Sequence, residues 1–290
     1  MAVSGKTSLV GLIGWPVAHS LSPAMHNAAA QAAGLDLVYV PLPVRPGDVE
    51  GALRGLAALG FLGANVTVPH KQAVMALLDA VEPGARAIGA ANTISVAADG
   101  ESRGLSGFNT DWRGLLADLK VREVAIAGRP CLLLGAGGAA RAAAYALAHS
   151  GGQVELFARR VEQAQAVVAA LQPAVPDAAL SAFAWWQLAD RLRGRRAPLI
   201  VNCTPLGMDP EATRSPWPGE LAFPPGAFVY DLVYNPPQTV LMQQARAAGC
   251  RTANGLGMLL YQGALAFEIW TGIRPEVEVM AGALQAALRE

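Results

Sequence analysis

Short apolar runs alternate with longer alanine-rich stretches of helical period along most of the chain. The first run, Ser8-Leu-Val-Gly-Leu-Ile-Gly14, is continuous rather than alternating, which is the pattern of a buried strand. Ser22-Pro23 then reads as a helix start, with the serine as N-cap and the proline at the first helical position. The helix runs through AMHNAAAQAA and stops at Gly34. A strand at 37–42, a helix near 46–59 and a strand at 63–68 come next. Pro69 is expected to open a helix through KQAVMALLDA, and 92–96 to form another short strand. This βαβα alternation predicts a mostly parallel sheet covered by helices.

A second series begins at Pro130, where CLLLGAGGAARAAAYALAHSGG reads as strand, glycine-rich turn, long helix and a stop at 151–152. Strands at 153–159, 198–203 and 227–233 continue it, with turn-rich loops at 172–181 and 209–226. The C-terminal stretch predicts two helices, roughly 256–271 and 276–289, split by Gly272 and Pro275. No short-period repeat is visible.

Composition adds bounds to this picture. A chain of 290 residues corresponds to two domains of roughly 150 residues each. With 53% hydrophobic and 15% charged residues, a large core is readily built. Lysine plus arginine and aspartate plus glutamate are both 22, so the chain has no bulk attraction for nucleic acid or an acidic membrane. An anionic ligand must be held by a local site. Cys131, Cys203 and Cys250 are odd in number and far apart, and read as reduced, packed thiols. His19, His26, His70 and His149 have no metal-ligand spacing, so no metal is expected. The start is too short and too glycine-broken for a signal peptide, and no apolar run reaches the ~18 residues of a membrane helix. The expectation is a cytoplasmic protein, monomer or homodimer, with neither nucleic acid nor membrane as partner.

Candidate chemistry enters at the second glycine-rich turn. Gly135, Ala136, Gly137, Gly138, Ala139 and Ala140 match GxGxxA between a strand and a helix, the context a dinucleotide fingerprint requires. The helix N-terminus there offers free N–H groups and a positive dipole end to a pyrophosphate. The acid that would bind a bare adenosine ribose belongs at the end of the next strand. Glu155 falls inside that strand, and its end carries Ala158, Arg159 and Arg160. Two guanidinium groups suit a 2′-phosphate, hence NADP. Lys71, in NVTVPHK, is expected in the first turn of the helix opened by Pro69. The dipole there would disfavour its ammonium form, as suits a proton-transfer group, although an exposed lysine reaching water fits its position equally well. Asp111, in FNTDWRG, reads on its own as an ordinary helix-starting acid. Ser22 reads as an N-cap and Ser20 as a turn residue.

Six motifs occur in one order: Ala18–Pro23 (AHSLSP), Ala64–Lys71 (ANVTVPHK), Gly89–Thr93 (GAANT), Asn109–Asp111 (NTD), Gly135–Ala139 (GAGGA), and Gly255–Met258 (GLGM) followed by Gln262. Together, over residues 10–274, they resemble the shikimate dehydrogenase family. The resemblance implies an α/β protein of two domains. One is a substrate-binding domain with a mostly parallel sheet, residues 1–111 completed by 257–290. The other is a Rossmann NADP-binding domain, residues 112–256, with the active site in the cleft between them. It implies that Ser20, Ser22, Asn65, Thr67, Asn92 and Gln262 bind shikimate or 3-dehydroshikimate, with Tyr234 near the substrate. Lys71 and Asp111 would be the catalytic pair. Asn202, Thr204, Gly255 and Met258 would line the nicotinamide side, completing the cofactor set of the glycine loop and the two arginines. Shikimate carries a carboxylate and hydroxyls, which short Ser, Thr, Asn and Gln side chains are suited to bind.

The chain departs from the family pattern in places. Where Asn-Arg-Thr and a later basic residue are common, it has Ala158-Arg159-Arg160 and Gln163. Trp112 replaces a frequent glycine and is expected to reshape the cleft rim, and Cys203 replaces an alanine. Two alternatives stand beside this reading. One is an NAD-dependent quinate/shikimate dehydrogenase, against which the arginine pair argues. The other is a non-catalytic NADP-sensing regulator, against which the presence of both Lys71 and Asp111 argues.

Overall fold

A computed structural model describes residues 3–99 and 102–289. The chain divides into two compact units, Met1–Thr110 with Leu260–Glu290, and Asp111–Leu259.

The first unit runs β1 (Ser8–Gly14), α1 (Ser22–Ala32), β2 (Leu37–Pro43), α2 (Val49–Leu59), β3 (Gly63–Val66), β4 (Ala80–Val81), α3 (Pro83–Ile88), β5 (Thr93–Asp99) and β6 (Ser102–Phe108). Its sheet has the order β2-β1-β3-β5-β6-β4. The first strand pairs in parallel with β2 and β3, as the alternation predicts. The far half is different, because β5 pairs antiparallel with both β3 and β6. Strand β6 is not legible in the sequence because its apolar signal is weak. Gly107 stands where a side chain is expected, and a Cβ there would lie 2.2 Å from Leu78, so the glycine makes room for packing that composition does not reveal. One face of this sheet packs Ile13, Ala64, Val66 and Ile94 against Leu53 and Leu56 of α2.

Two segments of this unit depart from their local sequence pattern. No α-helix follows Pro69; only a 3-10 turn, Ala73–Leu77, forms. The backbone groups that a helix would use are drawn into other bonds. The His70 amide donates to Thr67 O at 2.9 Å, and Ala91 N donates to Lys71 O at 2.9 Å. The buried His70 ring donates through Nε2 to Val44 O at 2.7 Å. The dipole argument for Lys71 falls with the helix. Ser22 is likewise not an N-cap: Leu21 occupies that position with no side-chain cap bond, and Ser22 N instead donates to Ser20 Oγ at 3.2 Å.

The second unit contains α4 (Asp111–Val121), β7 (Pro130–Leu134), α5 (Gly138–His149), β8 (Gln153–Ala158), α6 (Val161–Leu171), β9 (Leu180–Ala184), α7 (Leu188–Leu192), β10 (Leu199–Asn202), β11 (Phe228–Asp231), α8 (Val240–Ala247) and β12 (Arg251–Asn254). Every pairing in its sheet is parallel. The order β9-β8-β7-β10-β11-β12 is that of a doubly wound dinucleotide fold, reversing direction between β7 and β10. The core holds Leu132, Leu134, Ile200 and Val229 from the central strands. The expected loop at 172–181 contains the start of β9. The last helices, α9 (Leu256–Thr271) and α10 (Val277–Ala287), lie where the C-terminal periodicity places them, and α10 packs on α1. Among the described residues, no helix is long and apolar enough to cross a membrane.

Candidate active site

In the first unit the sheet register gathers polar side chains on one face. Val10 pairs with Tyr39, Leu12 with Asn65, and Asn65 with Thr93. Val10 and Leu12 are two residues apart, so Tyr39, Asn65 and Thr93 share a face. Tyr39 Oη donates to Asn65 Oδ1 at 2.8 Å. Asn65 Nδ2 donates to Asn92 O and Thr93 Oγ1, both at 3.1 Å. Asn92 Nδ2 donates to Thr110 Oγ1 at 2.9 Å and Gln262 Oε1 at 3.1 Å, while its Oδ1 accepts from Thr110 N at 2.7 Å. The carbonyl of Asn92 only accepts, so it fixes which end of the Asn65 amide is nitrogen. Asn65, Asn92 and Gln262, three of the expected substrate residues, are thus one buried network. Ser22, on α1, is also buried, whereas Ser20, Thr67 and Lys71 are half-buried on the loops after β1 and β3. Tyr234 and Asp111 belong to the second unit.

Sequence reading missed Tyr39, Thr110 and His26 as members of this neighbourhood. The His26 ring stacks on Tyr39 with centroids 4.4 Å apart, and Trp270 of α9 leans on both rings. Both ring nitrogens of His26 are buried without a hydrogen-bond partner. Burial pushes the His26 pKa down to about 3, outweighing the opposing effect of the Asn65 side chain, so the imidazole is neutral. The only local signal was a histidine and a tyrosine on apolar faces, and their partnership depends on α1 lying over β2.

In the second unit the glycine loop has the form its spacing predicts. Gly135 adopts φ +116°, and a Cβ there would press on Thr204 at 3.1 Å and on the Cys203 backbone at 3.3 Å. Gly137 is the N-cap of α5 and makes no side-chain cap bond. A Cβ on Gly137 or Gly138 would meet no protein atom within 4 Å, so a ligand can approach this backbone closely. Arg159 and Arg160 follow β8 and are exposed. Glu155 is taken up elsewhere, paired with Arg191 and with Arg195 at 2.6 Å. This loop, helix start and arginine pair fit NADP: the helix start is suited to a pyrophosphate and the exposed guanidinium groups to a 2′-phosphate.

The remaining expected residues have clear local roles. Asn202 donates to Asp231 Oδ1 at 2.8 Å and Leu206 O at 3.1 Å, and accepts from Thr204 N at 2.9 Å and Thr204 Oγ1 at 2.7 Å. It shapes the loop beside Gly135. Gly255 is required by Leu232, whose carbonyl would lie 2.1 Å from an added Cβ. Met258 is half-buried in the first turn of α9, and Tyr234 is half-buried, its phenol pKa raised by burial. Asp111, 6% exposed, opens α4. Trp112 packs edge-on against Tyr145 and His149, clamping α4 to α5. Burial pushes the Cys131 thiol up to about 12 and raises Cys203 as well, so both stay protonated.

Comparison with known proteins follows the same lines. A family model for the shikimate dehydrogenase substrate binding domain matches residues 12–94, and one for the shikimate 5′-dehydrogenase C-terminal domain matches residues 255–285. The shikimate dehydrogenase (NADP(+)) of Moorella thermoacetica is 49% identical, over 99% of this chain and 95% of its own length. The shikimate 5-dehydrogenase of Thermus thermophilus, solved with NADP(H) and shikimate, superposes with a TM-score of 0.85 at 38% identity, covering 97% of this chain and 100% of that one. The quinate dehydrogenase of Corynebacterium glutamicum, solved with NAD, has a TM-score of 0.88 at 32% identity, covering 97% and 99%. Relatives this similar over nearly their full length, with the substrate-domain match spanning the strands that carry the amide network, mean that the chain belongs to the shikimate dehydrogenase family.

Proposed function

We propose that this chain interconverts 3-dehydroshikimate and shikimate with NADP as its redox partner, the step that feeds chorismate and the aromatic amino acids. The observation that carries the cofactor choice is the end of β8, where Arg159 and Arg160 are exposed and Glu155 is bound up with Arg191 and Arg195. The nicotinamide, when bound, exchanges a hydride with the carbon that bears the reacting oxygen. The chain's own residues handle the rest. Lys71 Nζ meets that oxygen, giving it a proton on reduction and reclaiming it on oxidation, with Asp111 as the partner carboxylate that orients the ammonium group. Ser20 and Ser22 receive the substrate carboxylate, and Thr67, Gln262 and Tyr234 its other polar groups.

Asn65 has a narrower part than its side chain alone allows. Both Nδ2 hydrogens are used, and Oδ1 already accepts from Tyr39. With its Nδ2 hydrogens used, it can meet a substrate hydroxyl only as an acceptor and does not donate. The test is nicotinamide absorbance with shikimate or quinate against NADP or NAD. Shikimate with NADP is the expected pair. Turnover of quinate with NAD, and none of shikimate with NADP, overturns the reading.

A further inference from the structure

Asp231 ends β11 beside Asn202 on β10 and Asn254 on β12, at the carboxyl ends of the strands where open α/β sheets bind ligands. Its carboxylate has 0% exposure, yet it accepts from three separate segments. The donors are Asn202 Nδ2 at 2.8 Å, Val233 N at 3.0 Å and Thr239 Oγ1 at 2.6 Å. Thr239 is the N-cap of α8, its Oγ1 also accepting from Met242 N at 3.3 Å. Asn202 grips the 203–206 loop through Thr204 and Leu206, and that loop is what lies against Gly135. The backbone continues the pattern, with Cys203 N donating to Leu134 O at 2.9 Å and Leu232 N to Asn202 O at 3.0 Å. Burial raises the Asp231 pKa to about 6 while its three donors pull it down, so near neutral pH the group is an acceptor-only anion that all three donors face.

We propose that Asp231, with Thr239 behind it, is a positioning residue of the cofactor site: it locks the 203–206 loop against the first glycine of the dinucleotide loop and so sets the shape into which NADP fits. This rests on the NADP reading above. Neither residue touches the cofactor; they act through Asn202 and Thr204. A merely structural carboxylate would change the melting temperature and leave ligand affinity alone.

Calorimetric titration of NADP and, separately, of shikimate into wild type, Asp231→Ala, Thr239→Val and Thr239→Ser tests this. Asp231→Ala and Thr239→Val are expected to raise the NADP Kd by about tenfold, the scale of one lost hydrogen bond to a charged acceptor. Thr239→Ser, which keeps the hydroxyl, restores wild-type NADP affinity, and the shikimate Kd stays constant throughout. Should Asp231→Ala fail to fold, the volume-conserving Thr239→Val against Thr239→Ser decides. Variants that melt lower but bind NADP as tightly as wild type overturn the proposal. A wild-type chain that binds no NADP overturns the cofactor reading instead.

Discussion

Lys71 sits on a loop held by Thr67, His70 and Ala91, so its placement comes from tertiary hydrogen bonds rather than from a helix. Lys71→Met is expected to lower kcat by about 10²–10⁴-fold, the usual cost of a lost proton donor, with a much smaller rise in KM. Steady-state kinetics on a variant with unchanged circular dichroism checks it, and a kcat close to wild type removes Lys71 from the chemistry. Ser22 makes no cap bond, which sharpens its own prediction. Ser22→Ala should leave the melting temperature nearly unchanged and weaken shikimate binding by about 1–3 kcal/mol. The reverse pattern in paired melts and titrations makes it a stability residue. His26 links a buried ring to pH. Its folded pKa of about 3 lies below the ordinary histidine value of 6.5, so the unfolded chain binds the proton more readily. The stability this neutral ring allows is fully present above pH 6.5 and is lost as pH falls towards 3, at up to about 1.4 kcal/mol per pH unit. His26→Phe keeps the stack on Tyr39 and removes both unpartnered nitrogens. It should therefore gain melting temperature over wild type at pH 5 relative to pH 8; an equal difference at both pH values rejects this assignment.

At the scale of elements, α9 is seated on the first sheet by one indole. Trp270 Nε1 donates to Ile94 O at 2.9 Å, across Gly63 on β3. A Cβ on Gly63 would lie 2.2 Å from Ile94 O and 2.4 Å from Trp270 Nε1. Gly63→Ala should thus force the strand and helix apart and cost about 1–3 kcal/mol, as overpacked cores do. Chemical denaturation measures it, and wild-type stability shows that the contact yields freely. The same scale shows what patterning conveys. The second unit's core strands β7, β8, β10 and β11 were legible because each is a compact apolar run bounded by turn residues. Strand β6 and the 67–77 segment were not, since glycines at close contacts and long-range backbone bonds leave no periodic trace.

The chain folds as two units, and the proposed catalytic pair takes Lys71 from the first and Asp111 from the second. Lys71→Met and Asp111→Asn are expected to act on one step, so the double variant should fall little below the worse single variant. Independent, multiplying losses in kcat separate their roles. Cofactor choice is a second property at this scale. A 2′-phosphate carries about two negative charges, so losing both Arg159 and Arg160 should weaken NADP by about 10²–10⁴-fold while NAD barely changes. Both arginines are exposed, and added salt should weaken NADP more than NAD in wild type. Calorimetry with Arg159→Ser/Arg160→Ser reads the ratio, and an unchanged NADP-to-NAD preference rejects the clamp.

The glycine-rich turn before α5 and the two C-terminal helices were decided by sequence alone, because each depends on neighbours within a few residues: glycine torsions, a helix N-terminus, a 3.6-residue period. The joining of Tyr39, Asn65, Asn92 and Gln262, and of Asn202, Asp231 and Thr239, was decided only by tertiary structure. Those residues lie far apart in the chain, and strand order and register bring their side chains to one face or one strand end. A buried polar group must find a partner wherever the fold supplies one, and no local pattern says where that will be.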